Sequence, residues 1–279
     1  MRAAAIQLNS DADRDRNLAS AEALVRAAAA DGATFVALPE RFDLRGDEHD
    51  YARAAEPLES SGTVAWARAL AAELRVDLVA GSISERREHR DKLSNTSVHV
   101  GPDGELKGTY RKIHLFDVTV GDVDYRESDS DEPGDTLVVS EAADGTPVGL
   151  SVCYDVRFPE LYRILALNGA LVITVPANFT RTTGEAEHWE LLLRARALEN
   201  QVFVVAPAQS GEYPPGQPAY GNSMIVDPWG EVLARAAGDG ECFVAADLDF
   251  ARLAEVREKL PSLQNRMPAA YRWPVEAHA

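Results

Sequence analysis

GLSVCYDVRFPE, residues 149–160, passes from one kind of chain to another without a pause. Small apolar residues run as a buried strand runs, up to Val152. Pro159 then suits the first position of a helix whose apolar face is Leu161, Ile164, Leu165 and Leu167, and Gly169 suits its C-terminal cap. A thiol, Cys153, stands between the two. Strand followed directly by helix is the unit of α/β proteins, and polar residues at the ends of buried strands gather into sites because neighbouring strands bring their termini together.

The same alternation extends in both directions. Residues 2–8 (RAAAIQL) read as a strand, and Leu18, Ala21, Leu24, Val25 and Ala28 repeat at helical spacing before Gly32. Thr34 to Leu38 is a short apolar strand stopped by Pro39. A helix fits 63–74 and a strand 77–82. Gly-Pro-Asp-Gly, flanked by 98–100 and 106–108, marks a hairpin, and 118–135, rich in Asp, Ser and Gly, reads as a long surface loop. Beyond the opening stretch, 171–176 and 202–208 read as strands around a helix over 185–200. A hairpin turns at Asp-Pro-Trp-Gly, and a strand at 242–247 and a helix at 250–260 follow. Several neighbouring strands form hairpins, which favours mixed sheets with helices outside over a purely parallel sheet. One domain over 1–279 is expected, with 261–279 as an extended tail.

Composition narrows the function. With 46% hydrophobic and 26% charged residues the chain has the make-up of a folded globular protein and not of a disordered one. A net charge of -17 opposes nucleic-acid binding, which needs a basic excess to displace counterions. No apolar run reaches the roughly 18 residues of a membrane span, and a cytoplasmic location is expected. Only four lysines are present. This acidic, lysine-poor make-up has two readings: a surface kept hydrated at high salt, or the residue usage of a GC-rich genome. A melting temperature that climbs between low and molar KCl separates them. Cys153 and Cys242 are far apart and fit neither a disulfide framework nor a zinc knuckle; no His, Asp or Glu cluster has metal spacing, and no cofactor is implied.

Three residues at strand ends carry chemistry. Cys153 is either a small buried hydrophobe or a nucleophile, and the positive end of the following helix would favour its thiolate. Cys242, mid-strand, reads as filler. Glu40, in FVALPERFD, is either a solvated loop residue or a partly desolvated carboxylate suited to moving protons. Lys112, in TYRKIHLFDV, has apolar neighbours and is a candidate buried ammonium able to hold an oxyanion. Together the three make a kit for acyl transfer: the carboxylate takes the thiol proton, sulfur attacks an amide carbonyl, and the ammonium steadies the oxyanion.

These residues resemble the nitrilase superfamily of carbon–nitrogen hydrolases, in the chain order Glu, Lys, Cys. The likeness runs through AAAIQLN, FVALPE, YRKIHLFDV, GLSVCYDVRFPELYR, HWELLLRARALENQ, YGNSMIVDPWGEVLA and LPSLQNR. It implies a four-layer αββα sandwich of two mixed sheets with flanking helices, pairing into a homodimer, and an enzyme without cofactor or metal. It also implies a second glutamate, Glu127, that orients the lysine and substrate, and an oxyanion site completed by the N–H of Tyr154. RKIHLFDV and CYDVRFPEL are similar to the branch holding omega-amidase and deaminated-glutathione amidase. The expected reaction is hydrolysis of a small linear omega-amide to acid and ammonia through a thioester. An N-carbamoyl hydrolase or a nitrilase of the same superfamily is the alternative, and a non-catalytic dimeric scaffold is the alternative of another class.

A substrate carboxylate needs a cation. Arg157 is the candidate, as a planar donor fork; an ion pair with Asp155 or Glu160 is its other reading. Phe179 and Thr180 would line the pocket. The plainer readings are packing and hydrogen bonding for His188 and Trp189, core histidine for His114 with positioning of the neighbouring lysine as its other reading, and carboxylate pairing for Arg194 and Arg196. Two departures from the branch pattern bear on substrate identity: one extra residue between Gly184 and His188, and Val156 in place of methionine.

Overall fold

A computed structural model of the protein describes residues 1–271. The strands are β1 (Arg2–Leu8), β2 (Phe35–Ala37), β3 (Asp77–Glu85), β4 (Ser94–Val100), β5 (Leu106–Arg111), β6 (Asp117–Val120), β7 (Val123–Arg126), β8 (Val139–Glu141), β9 (Pro147–Leu150), β10 (Val172–Thr174), β11 (Phe203–Ala206), β12 (Ala208–Gln209), β13 (Met224–Val226), β14 (Val232–Arg235) and β15 (Cys242–Asp247). The helices are α1 (Arg14–Ala30), α2 (Glu48–Ala54), α3 (Gly62–Leu74), α4 (Glu127–Ser130), α5 (Pro159–Leu167), α6 (Arg181–Glu185), α7 (His188–Asn200) and α8 (Phe250–Lys259).

Thirteen of the strands form two mixed sheets, and β6 and β7 pair separately. In the first, ordered β12-β1-β2-β3-β4-β5, strands β1, β2 and β3 are parallel, β4 and β5 follow as antiparallel hairpins, and β15 adds antiparallel to β1. In the second, ordered β14-β13-β11-β10-β9-β8, the centre β9, β10, β11 is parallel and both flanks are antiparallel.

Strand β1 shows why the sheets stack. Successive side chains point to opposite faces. Ala3 and Ala5 join the apolar cluster shared with the second sheet, whereas Ala4, Ile6 and Leu8 pack with Val25 of α1 and Val64, Ala67 and Leu70 of α3. Leu161 and Leu165 of α5 and Leu193 and Ala197 of α7 join the cluster of the second sheet. The layers therefore run helix, sheet, sheet, helix. Local signals set the helix starts: Asp13 caps α1 through the Arg16 N–H, Ser61 caps α3 through that of Val64, and Pro159 opens α5.

At the N-terminal end of the parallel strands a buried polar bridge joins the layers. His99 of β4 contacts Ser140 of β8 through Nδ1 at 2.8 Å and Asp77 of β3 through Nε2 at 3.2 Å. Glu40, Lys112 and Cys153 lie at the other end, beyond β2, β5 and β9.

Four expectations are corrected. The surface loop at 118–135 contains the antiparallel pair β6–β7 and the short helix α4. The helix expected over 185–200 starts only at His188, as α7, and the separate short helix α6 precedes it, because Glu187 takes a left-handed φ of 64° between them. The run 202–208 is not one strand either: it leaves the second sheet at Pro207 and enters the first as β12. Leu260 falls just past α8. The expected tail is described as far as Tyr271, with a 3-10 turn at Pro268–Ala270; residues 272–279 lie outside the described residues.

Candidate active site

Glu40 arrives at the site because the chain turns sharply after β2. The next residue, Arg41, has φ +53°, and β3 makes room through a bulge at Gly81, where a Cβ would stand 1.8 Å from the Pro39 carbonyl oxygen. Only glycine admits that approach. Arg41 is locked in turn: its N–H reaches Ser82 Oγ at 3.2 Å, and its guanidinium bonds Ser84 and pairs with buried Asp131 at 2.8 Å.

Cys153 also has a left-handed backbone, with φ +48°, at the start of a five-residue 3-10 turn. A non-glycine residue held there costs on the order of 1 kcal/mol or more, so its surroundings must enforce it. They do. The Cys153 N–H donates to Pro176 O at 2.8 Å, and the preceding N–H, of Val152, donates to Asp155 Oδ2 at 2.8 Å. Asp155 is fully buried and also accepts from Tyr110 Oη at 2.7 Å and from the His114 N–H at 3.2 Å, with His114 Nδ1 at 2.8 Å. One carboxylate thus couples the turn that carries the thiol to the segment that carries Lys112.

Glu40, Lys112, Glu127, Cys153, Tyr154, Arg157, Phe179 and Thr180 all line a single cavity of about 390 Å³. Lys112 Nζ donates to Glu40 Oε1 at 3.0 Å and to Glu127 Oε2 at 2.7 Å. Glu40 Oε2 accepts from the Asn178 N–H at 2.8 Å. The Tyr154 N–H has no acceptor among the described residues.

Burial alone would push the Lys112 ammonium down, but Glu127, Glu40 and Cys153 outweigh it and hold its pKa well above the usual lysine value. For Glu127, burial pushes the carboxyl up, while Lys112, helped by Arg41 and Asn95, brings it below its ordinary range. The expectation for Cys153 is reversed: burial first, then the Glu40 carboxylate, raise the thiol well above its ordinary pKa against the pull of Lys112. No long helix points at the sulfur, since the short turn of Cys153–Arg157 comes before α5. The proton stays on sulfur until a neighbour takes it.

Arg157 forms neither of the ion pairs weighed for it, because Asp155 is already committed; among the described residues no carboxylate lies within ion-pair range of its guanidinium. It sits 3.4 Å from His188 Nδ1 and over the Phe179 ring at 5.4 Å. His114 stacks on Phe158 at 3.6 Å, and buried Trp189 donates to Asn222 O at 2.9 Å. Arg194 pairs with Glu190 and Arg196 with Glu199. Cys242 opens β15 outside the cavity. Glu187 stands in the left-handed turn joining α6 to α7. Among the described residues no group of His, Cys, Asp or Glu could hold a metal ion, and no helix is long and apolar enough to cross a membrane.

Three contributors escape sequence reasoning: Arg41, Asn178 and Asn95. Asn95 Nδ2 donates to Glu40 Oε1 at 2.8 Å and to Glu127 Oε1 at 3.0 Å. Its sequence signal is faint: β4, SNTSVHV, is a polar strand whose every residue is buried.

The carbon-nitrogen hydrolase family model matches residues 2–258. The chain is similar to an omega-amidase of Homo sapiens, 39% identical over 274 residues, covering 97% of this chain and 96% of that one. It is similar to a deaminated glutathione amidase of Bos taurus, 40% identical over 274 residues, covering 96% and 82%. Among solved structures it resembles Saccharomyces cerevisiae Nit3, a member of branch 10 of the nitrilase superfamily, with TM-score 0.87, 31% identity and 97% of each chain covered.

Proposed function

The chain belongs to the carbon–nitrogen hydrolase family, and from that premise we propose that it hydrolyses small linear omega-amides, the monoamides of keto or amino dicarboxylates, to the carboxylic acid and ammonia. The observation that carries this reading is the shared cavity in which a carboxylate, an ammonium and a thiol meet. Two of its relatives bear names of that activity.

In this reading Glu40 takes the proton from Cys153, and Sγ attacks the amide carbonyl carbon. The carbonyl oxygen becomes an oxyanion held by Lys112 Nζ and the Tyr154 N–H. Glu40 returns its proton to the amide nitrogen, the C–N bond breaks, and ammonia leaves an acyl thioester. The emptied carboxylate then draws a proton from water, hydroxide adds to the thioester, and the acid departs as the thiol is restored. Because the free thiol holds its proton tightly, base and nucleophile work as one unit. Glu127 braces Lys112, and Arg157 supplies the fork for the substrate's carboxylate, with Phe179 and Thr180 as walls.

Mass spectrometry of the protein mixed with a panel of omega-amides tests the reading. An acyl adduct on Cys153, with ammonia and no carbon dioxide released, is expected; carbon dioxide would indicate a carbamoyl substrate, and absence of any adduct would reject the thiol route.

We propose a homodimer as the working assembly. Ile164 and Leu167 of α5 and Leu191 and Leu198 of α7 are exposed apolar side chains on the outer helical layer. A reduced thiol also suits a reducing compartment, so the cytoplasm is the proposed location.

A further inference from the structure

Asn95 sits between the two glutamates of the site and is 1% exposed. One hydrogen of Nδ2 goes to Glu40 Oε1 and the other to Glu127 Oε1, while its own Oδ1 is buried with no partner. The flipped amide would set that oxygen against two carboxylates, so the chemistry of the neighbours fixes its orientation. Orphaning a buried acceptor is unfavourable, and here it accompanies two donors aimed at the catalytic carboxylates.

The donor count on Glu40 then becomes decisive. Each carboxylate oxygen offers two lone-pair directions. Oε1 receives both Lys112 Nζ and Asn95 Nδ2, whereas Oε2 receives the Asn178 N–H alone. Oε2 is the oxygen with room for one more proton.

We propose that Asn95 is a positioning residue for the amidase reaction: it holds Glu40 and Glu127 in place beside a single ammonium and makes Oε2 of Glu40 the atom that receives the Cys153 proton. This rests on the reading of Glu40 as the base. An amide nitrogen can only donate, so it favours the charged form of Glu127 while adding no charge of its own. The ionisable groups around Glu40 are Lys112 beyond β5, Glu127 of α4, Cys153, and Arg41 with its partners Asp131 and Tyr51. Lys112 is the cation bonded to both glutamates, and a third carboxylate at position 95 would overload it.

The test compares the wild type with Asn95→Asp and Asn95→Ala, following Cys153 alkylation by iodoacetamide, mapped by mass spectrometry, and kcat/KM on succinamate from pH 5 to 9. In Asn95→Asp the acid limb of both profiles is expected to move up by about one pH unit or more, a tenfold loss at a pH on the limb that recovers at higher pH. Asn95→Ala is expected to shift the same way by less. Folded variants whose limbs overlie the wild type, with any loss uniform across pH, would overturn the proposal. Asn95→Leu, which removes both donors and adds no charge, replaces Asn95→Asp if that variant does not fold and is read against the same criteria. Glu40→Gln run alongside separates the two failures: an unchanged limb there overturns the base assignment itself, and an unchanged limb in the Asn95 variants alone overturns the positioning role.

Discussion

Cys153 works against the stability of the fold that holds it. In the folded chain the thiol keeps its proton well past the ordinary value of 9.0 because of burial and Glu40, whereas an unfolded chain releases it near that value. Above about pH 9 the unfolded state thus binds fewer protons than the native one, and stability falls by about 1.4 kcal/mol per pH unit from this group. From about pH 10 buried Tyr110 and Tyr162 add the same behaviour and steepen the decline. Cys153→Ala is expected to abolish amide turnover while flattening this alkaline decline, as read by urea unfolding at pH 8, 9 and 10; retained turnover would reject the nucleophile, and a parallel decline would reject the buried thiol as its source. Legibility at this scale follows chemistry. Glu40 and Cys153 stand out in the sequence as polar groups at the ends of apolar strands and Lys112 as a cation among apolar neighbours, whereas Asn95 lies inside β4 among other buried polar residues, where no break in pattern marks it.

Between residue and molecule, the segment α6–α7 shows how an element shapes the cavity. A Cβ on Gly184 would stand 2.1 Å from the Tyr220 ring, and the Tyr220 N–H is bonded to Phe179 O at 2.9 Å. Gly184→Ala therefore has to displace the ring and, through it, the wall at Phe179. A loss of about 1–3 kcal/mol in unfolding free energy is expected, together with a raised KM; an unchanged melt and KM would show that the ring moves freely. The pair β6–β7 is the element that the sequence hides. Val118 and Val120 alternate before Gly121-Asp122, and Val123 and Tyr125 after it, which is a hairpin pattern. The acids interleaved with them mask it, because neither strand is buried and the usual apolar contrast is missing.

Across the whole molecule, mixed sheets with outer helices can be read from hairpin signals and periodicity, but the stacking order cannot. It depends on pairings between residues distant in the chain, such as Gln7 with both Ala208 and Cys242, and on a run that changes sheets at Pro207. Resemblance supplies what local pattern leaves out. The proposed dimer belongs to this scale: Leu191→Glu, placing a charge at a side chain 67% exposed in the single chain, is expected to shift light scattering from dimer toward monomer, and an unaltered dimer would move the interface elsewhere. One earlier contact reaches further. The bond from the Asn178 N–H to Glu40 Oε2 spans the seam between the halves, so the proposed proton carrier doubles as a rivet, opposite the one formed by His99. Truncating that carboxylate to silence the chemistry would also unfasten the sandwich at its open rim, and an amide of the same shape does not escape this, since Lys112 and Asn95 draw its one oxygen to their side and leave an NH2 facing the Asn178 N–H.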